Sequence, residues 1–123
     1  IGGDAGRTID GGYVQRVEGL SRADTYRLSG QVRSSWPLDA DHECRVGYDP
    51  TGQTNNPGAV TIAWTPLPPI HGEFVAYASE PIRPGADAVS VWLRVQSRKA
   101  EKFPFTADFD DFVLRRVVLT PHR

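Results

Sequence analysis

The sequence predicts an all-β fold, an antiparallel β-sandwich or jelly roll of about seven to eight strands. Three observations predict it. Apolar and polar residues alternate with period two through most of the chain, as in strands with one buried and one wet face. No stretch carries apolar residues at i, i+3, i+4 and i+7 between helix caps. Ten prolines and twelve glycines gather mostly in the connectors, where they suit turns and would spoil strands.

The elements follow in order. A weak strand is expected near 5–9 and a firmer one near 12–19. In 24–35, Tyr26, Leu28 and Val32 fall on one face, with Arg27, Ser29, Gln31 and Arg33 on the other. Two apolar-rich runs, 43–49 and 59–65, flank the loop GYDPTGQTNNPG, and a further strand is expected over 72–79. In 87–97, Val89, Val91, Leu93 and Val95 alternate with Ser90, Trp92, Arg94 and Gln96. The last strand is expected over 108–119, with Phe112 and Leu114 inward, which puts Asp110 on the core side and Asp111 on the other. The connectors GLSRAD, SWPLDADH, DPTGQTNNPG, TPLPPIHG, PIRPGAD and SRKAEKFPF carry the turn chemistry, and TPHR reads as a frayed end.

The 123 residues suit one domain, 1–123, with 1–10 and 120–123 peripheral. Fourteen basic and fifteen acidic residues give a net charge of -1, so no basic excess points to nucleic acid. No apolar run approaches the roughly 18 residues of a membrane span. The chain has no Met and starts at Ile1, and it reads as a processed product, a trimmed form or a fragment. Cys44 has no partner for an internal disulfide. It reads as a small buried hydrophobe, against a reactive thiol or an intermolecular bridge.

Catalytic signatures are absent: there is no G-x-S-x-G, H-E-x-x-H, C-x-x-C or P-loop, and His42, His71 and His122 lie far apart. The expectation is a non-enzyme. DADHEC at 39–44 gathers Asp39, Asp41, His42, Glu43 and Cys44, but neighbours on an extended chain point opposite ways, so a solvated turn is the simpler reading. Asp110, at the inward phase of its strand, needs a partner. Asp110 and Asp111 could ligate a structural calcium, or the carboxylate could bond backbone N–H groups or an Arg.

The loop 47–58 is not an EF-hand. Counting from Asp49, the ligand positions fall on Thr51, Gln53, Asn55, Pro57 and Val60, with no carboxylate at position 12 and no Gly at position 6. Asp49-Pro50-Thr51-Gly52 suits a tight turn. The amides and hydroxyls that follow both donate and accept, which suits sugar hydroxyls. Trp36 opens a Pro-containing loop, Trp64 ends a strand, and Trp92 alternates onto a polar face. An exposed indole is a flat platform for the C–H face of a sugar ring, while core or edge packing is the plainer role.

Several of these stretches together resemble a known family. They are Tyr13 with Gln15, then Tyr26, Leu28, Ser29 and Val32, then the V-G-x-D-P-T-G-x-T run from Val46 to Thr54. Trp64 and the closing stretch Asp110 to Leu114 complete the series. In this order, over roughly residues 10–118, they look like a galactose-binding-like jelly roll of the carbohydrate-binding-module type. The chain lacks the N-P-x-F-E opening segment of that family. The resemblance implies a secreted or cell-envelope protein, an accessory module often attached to glycoside hydrolases, and a structural calcium ligated partly by the closing Asp. The expected function is therefore a non-catalytic carbohydrate-binding module for a polysaccharide or glycan. Trp36, Trp64 and Trp92 would stack on sugar, with Asp49, Gln53, Asn55 and Arg33 as hydrogen-bonding groups. The alternative is a structural or assembly module of an envelope or multi-subunit protein, in which another chain supplies missing strands.

Overall fold

The structure is a computed structural model that describes residues 2–3, 9–34, 42–67, 73–97 and 105–117. Eight strands form two four-stranded antiparallel sheets, with no helix among the described residues. The first sheet has the order β1-β8-β3-β6 and the second β2-β7-β4-β5. The strands are β1 (Gly2–Gly3), β2 (Ile9–Val17), β3 (Tyr26–Ser34) and β4 (His42–Asp49), followed by β5 (Ala63–Pro66), β6 (Val75–Ala78), β7 (Val89–Ser97) and β8 (Phe105–Arg116).

Alternation decides which side chains meet between the sheets. On β3, Tyr26, Leu28, Gly30, Val32 and Ser34 are buried, while Arg27, Gln31 and Arg33 are exposed. The core joins Leu28 and Val32 to Cys44 and Val46 of β4, Val89 and Val95 of β7, Tyr77 of β6, Ala107 of β8, and Ile82. A fully buried aliphatic side chain of this size contributes about 1.5–3 kcal/mol. Cys44 is wholly enclosed, and burial pushes its thiol pKa up to about 12, so it acts as a small core hydrophobe.

The expected strand at 59–65 is shorter than its apolar composition suggests. Hydrogen bonds from the Ala59 amide to the Asn56 carbonyl and from Ile62 to Ala59 keep 59–62 in turns, and pairing begins at Ala63. The weak strand at 5–9 lies outside the described residues except for Ile9, which opens β2. The expected TPHR tail also lies outside them.

The larger correction falls on β8. Ser29 pairs with Val113 and Gln31 with Asp110, so one residue of β3, Gly30, faces two on β8, Asp111 and Phe112. This is a β-bulge, and it resets the alternation. Asp111 sits at φ 55, a left-handed conformation that Asp tolerates better than most residues. Phe109 and Phe112 both turn inward, three residues apart, and Asp110 is carried out to solvent instead of to the core face. The ring of Phe112 lies over Gly30, where a Cβ would come within 2.5 Å of it.

Candidate functional site

The outer face of the second sheet carries the site. Register alone assembles it: Val14 of β2 pairs with Trp92 of β7, Trp92 with Gly47 of β4, and Gly47 with Trp64 of β5. Directly opposite residues of antiparallel strands point to the same face, so these four form one row across the sheet. Gly47 leaves space in the middle of the row. A Cβ there would meet the Trp64 ring at 2.7 Å and Ile62 at 3.0 Å. Trp64 leans across this gap and meets Trp92 edge to face, with centroids 6.4 Å apart and planes at 65°. Such aromatic pairs contribute about 0.5–1.5 kcal/mol beyond their buried area.

The two indoles then differ. Trp92 is only 6% exposed, and its Nε1 donates to the hydroxyl of fully buried Ser90 at 2.8 Å. Its expected role as an exposed platform is corrected: it is the floor and wedge of the site. Trp64 is half-buried. Both line a pocket of about 330 Å³, with Val14 and the Gly11–Gly12 backbone on one side, Leu93 and Arg94 behind, and Pro57 at the rim. That volume lies at the lower end of the range of small-molecule sites. Arg94 stands opposite Arg45 in the ladder, and Glu43 takes Arg45 in a two-pronged bridge with both contacts at 2.7 Å.

The polar loop beside the pocket is occupied with itself. Asp49 is fully buried. Its Oδ1 accepts from the Thr51 amide at 2.9 Å and the Thr51 hydroxyl at 2.7 Å. Its Oδ2 accepts from Gln53 Nε2 at 2.8 Å and the Thr61 hydroxyl at 2.7 Å. Burial raises the Asp49 pKa, but the bonds from Thr51, Gln53 and Thr61 outweigh it and hold the carboxyl below its ordinary value. Gln53 is equally committed. Its Nε2 also donates to the Asn56 carbonyl at 3.0 Å, and its Oε1 accepts from the amides of Asn55 and Asn56 at 3.0 and 2.9 Å. Asp49 and Gln53, expected as ligand-bonding groups, are thus engaged in building the loop. The Gly52 amide bonds the Asp49 carbonyl at 3.1 Å, which closes the tight turn foreseen for Asp-Pro-Thr-Gly. Asn55 is exposed on the loop.

The remaining candidates lie elsewhere. Trp36 is outside the described residues. Arg33 sits on the opposite sheet, where it bonds Asp108 at 2.8 and 3.1 Å and covers the Phe74 ring at 4.5 Å. Asp110 and Asp111 are both exposed, and Asp110 Oδ1 accepts from the Asp111 amide at 2.9 Å. Among the described residues no group of three His, Cys, Asp or Glu side chains could hold a metal. Among the described residues no helix is long and apolar enough to cross a membrane.

The sequence reading missed the Gly47 gap and the pairing of the two indoles. The signal was present in a glycine inside the 43–49 run, but its meaning needed the strand register. No family model matches the chain, and neither does any curated protein or solved structure.

Proposed function

We propose that the chain is a non-catalytic binding module for a carbohydrate ring, held in the Trp64–Trp92 pocket. One observation carries the reading. Half-buried Trp64, packed edge to face on Trp92, lines a largely apolar pocket, while Asp49 and Gln53 of the adjacent loop bond within the loop. A sugar presents an apolar C–H face on one side and hydroxyls around its edge. The apolar face would stack on Trp64, with Trp92 beneath as a wedge and Val14 as the opposite wall. Hydroxyls would meet the Gly11–Gly12 backbone and the Arg94 guanidinium, with exposed Asn55 of the adjacent loop as a further donor and acceptor. The module would serve a secreted or envelope-associated protein as an accessory domain.

Affinity electrophoresis against a panel of soluble polysaccharides, followed by calorimetry with any that bind, tests this. Trp64→Ala is expected to abolish retention while the thermal transition stays cooperative. Absence of binding to every member of the panel by the folded chain contradicts the reading.

A further inference from the structure

The arginines of the two sheets are partnered unequally. On the second sheet Arg45 stands opposite Arg94, and Glu43 binds Arg45. On the first, Arg33 faces Asp108 and bonds it. Arg16 and Arg116 also have carboxylates, Glu18 at 3.1 Å and Asp24 at 3.9 Å. Arg27 and Arg115 differ. They stand directly opposite each other on β3 and β8, both exposed, and neither forms an ion pair with a carboxylate among the described residues. Directly opposed residues hold their Cβ atoms about 4.5–5.5 Å apart, and like charges so placed are destabilising. The pair ends a groove of about 560 Å³ on the same face, lined by Ser29, Gln31, Ala76, Ala78, Asp111 and Arg115. Ala78 and Ala76 lie opposite Ser29 and Gln31 in the ladder, and their small side chains form its floor. Asp111 stands four residues along β8 from Arg115, at most about 13 Å away. The groove is therefore basic at one end, with a hydroxyl, an amide and a carboxylate toward the other.

We propose that this groove binds an acidic saccharide whose carboxylate or sulfate sits between the Arg27 and Arg115 guanidiniums. Each guanidinium offers a planar fork of donors that suits either anion, and the anion's charge offsets the repulsion between the two arginines. The Ser29 hydroxyl and the Gln31 amide both donate and accept, which suits the hydroxyls of the sugar body. Exposed Asp110 and Asp111 at the far end favour a neutral, hydroxyl-rich unit there. They repel a polymer charged at every unit, which sets nucleic acid and acidic peptides aside. That the occupant is a saccharide rests on the function proposed above; that it is anionic rests on the arginine pair. The groove lies on the outer face of the first sheet and the Trp64–Trp92 pocket on that of the second, so the two sites are separable.

Calorimetric titration of the full chain with two hexasaccharides tests this. One alternates glucuronate with N-acetylglucosamine; the other is a neutral chain with a sulfate on every second sugar. At least one is expected to bind, and which one binds identifies the anion. Its affinity should fall about 10-fold or more in Arg27→Gln and in Arg115→Gln, the loss of a charge-assisted hydrogen bond. The carboxyl-reduced or desulfated sugar should bind the wild type equally weakly. Affinity should hold in Trp64→Ala and in Arg83→Gln, an exposed arginine elsewhere. Neither Arg27→Gln nor Arg115→Gln should lower Tm, since each relieves a like-charge pair. Failure of the folded chain to bind either hexasaccharide would overturn the proposal. So would undiminished binding when both arginines are replaced, or an equal loss in Arg83→Gln, which would mark diffuse attraction. Binding abolished by Trp64→Ala alone would place the saccharide in the Trp64–Trp92 pocket, which excludes the groove and leaves the function proposed above standing.

Discussion

Asp49 and the Asp110–Asp111 pair sit in polar stretches that look alike on paper and behave in opposite ways. Asp49 lies at the end of β4, fully buried, and accepts four hydrogen bonds from Thr51, Gln53 and Thr61. Asp110 and Asp111 lie on a bulge in β8, both exposed, with one short-range bond between them. The difference teaches that acidic and amide-rich composition does not locate a binding site. What matters is whether the groups are already spent. In the loop they are spent on folding, and the adjacent pocket is left with an apolar surface.

The comparison can be broken first at Asp49. Asp49→Ala leaves four donors without their acceptor, and a charge-assisted bond alone contributes about 1.5–3 kcal/mol. A loss of about 3 kcal/mol is expected, roughly 10 °C in Tm by calorimetry. A loss under about 1 kcal/mol would mean that water replaces the network. Gly47→Ala comes next. Its Cβ would press on Trp64 at 2.7 Å, and overpacking of this kind costs about 1–3 kcal/mol. Because Trp64 must shift, its fluorescence spectrum should move with the fall in stability.

The pH dependence follows from the same carboxylate. The folded chain holds Asp49 below its ordinary pKa, so the stabilisation is complete above about pH 4, the unfolded value. It is lost as pH falls through the depressed folded value. Asp49→Asn should flatten this acid limb of the Tm profile, and an unchanged slope would contradict the assignment. The smallest effects belong to β8. Asp111→Gly removes the left-handed strain and is expected to leave Tm unchanged or raise it by a few degrees, about 0.5–1 kcal/mol. A clear loss of stability would assign the Asp111 side chain a partner of its own.

Much of the fold was legible because burial imposes period two. The alternation in 24–35 and 87–97 marks β3 and β7, which run over Tyr26–Ser34 and Val89–Ser97. Where alternation breaks locally, the reading failed for a physical reason. Carrying one parity through Asp110 ignored the bulge, which needed the partner strand to be seen. The run from Ala59 to Trp64 has strand composition, but the Asn56–Ala59 and Ala59–Ile62 turns claim its first half. In the site, Trp64 and Trp92 were recognisable as candidates. Their unequal exposure was not, since it depends on Gly47 lying between them in the ladder. The bonds of Asp49 and Gln53 within the loop were not legible, because a loop's polar groups give no sign in sequence of whether they point back at one another.

The most direct measurement is calorimetric titration of the wild type, Trp64→Ala and Asn55→Ala with a polysaccharide that the wild-type chain retains. The account predicts that Trp64→Ala weakens binding at least about 30-fold with the fold intact, the loss of a stacking contact of about 2 kcal/mol or more. Asn55→Ala should weaken it less than about 5-fold, as for a single exposed hydrogen bond. Wild-type affinity in Trp64→Ala, or a larger loss in Asn55→Ala, would place recognition on the loop and contradict the account.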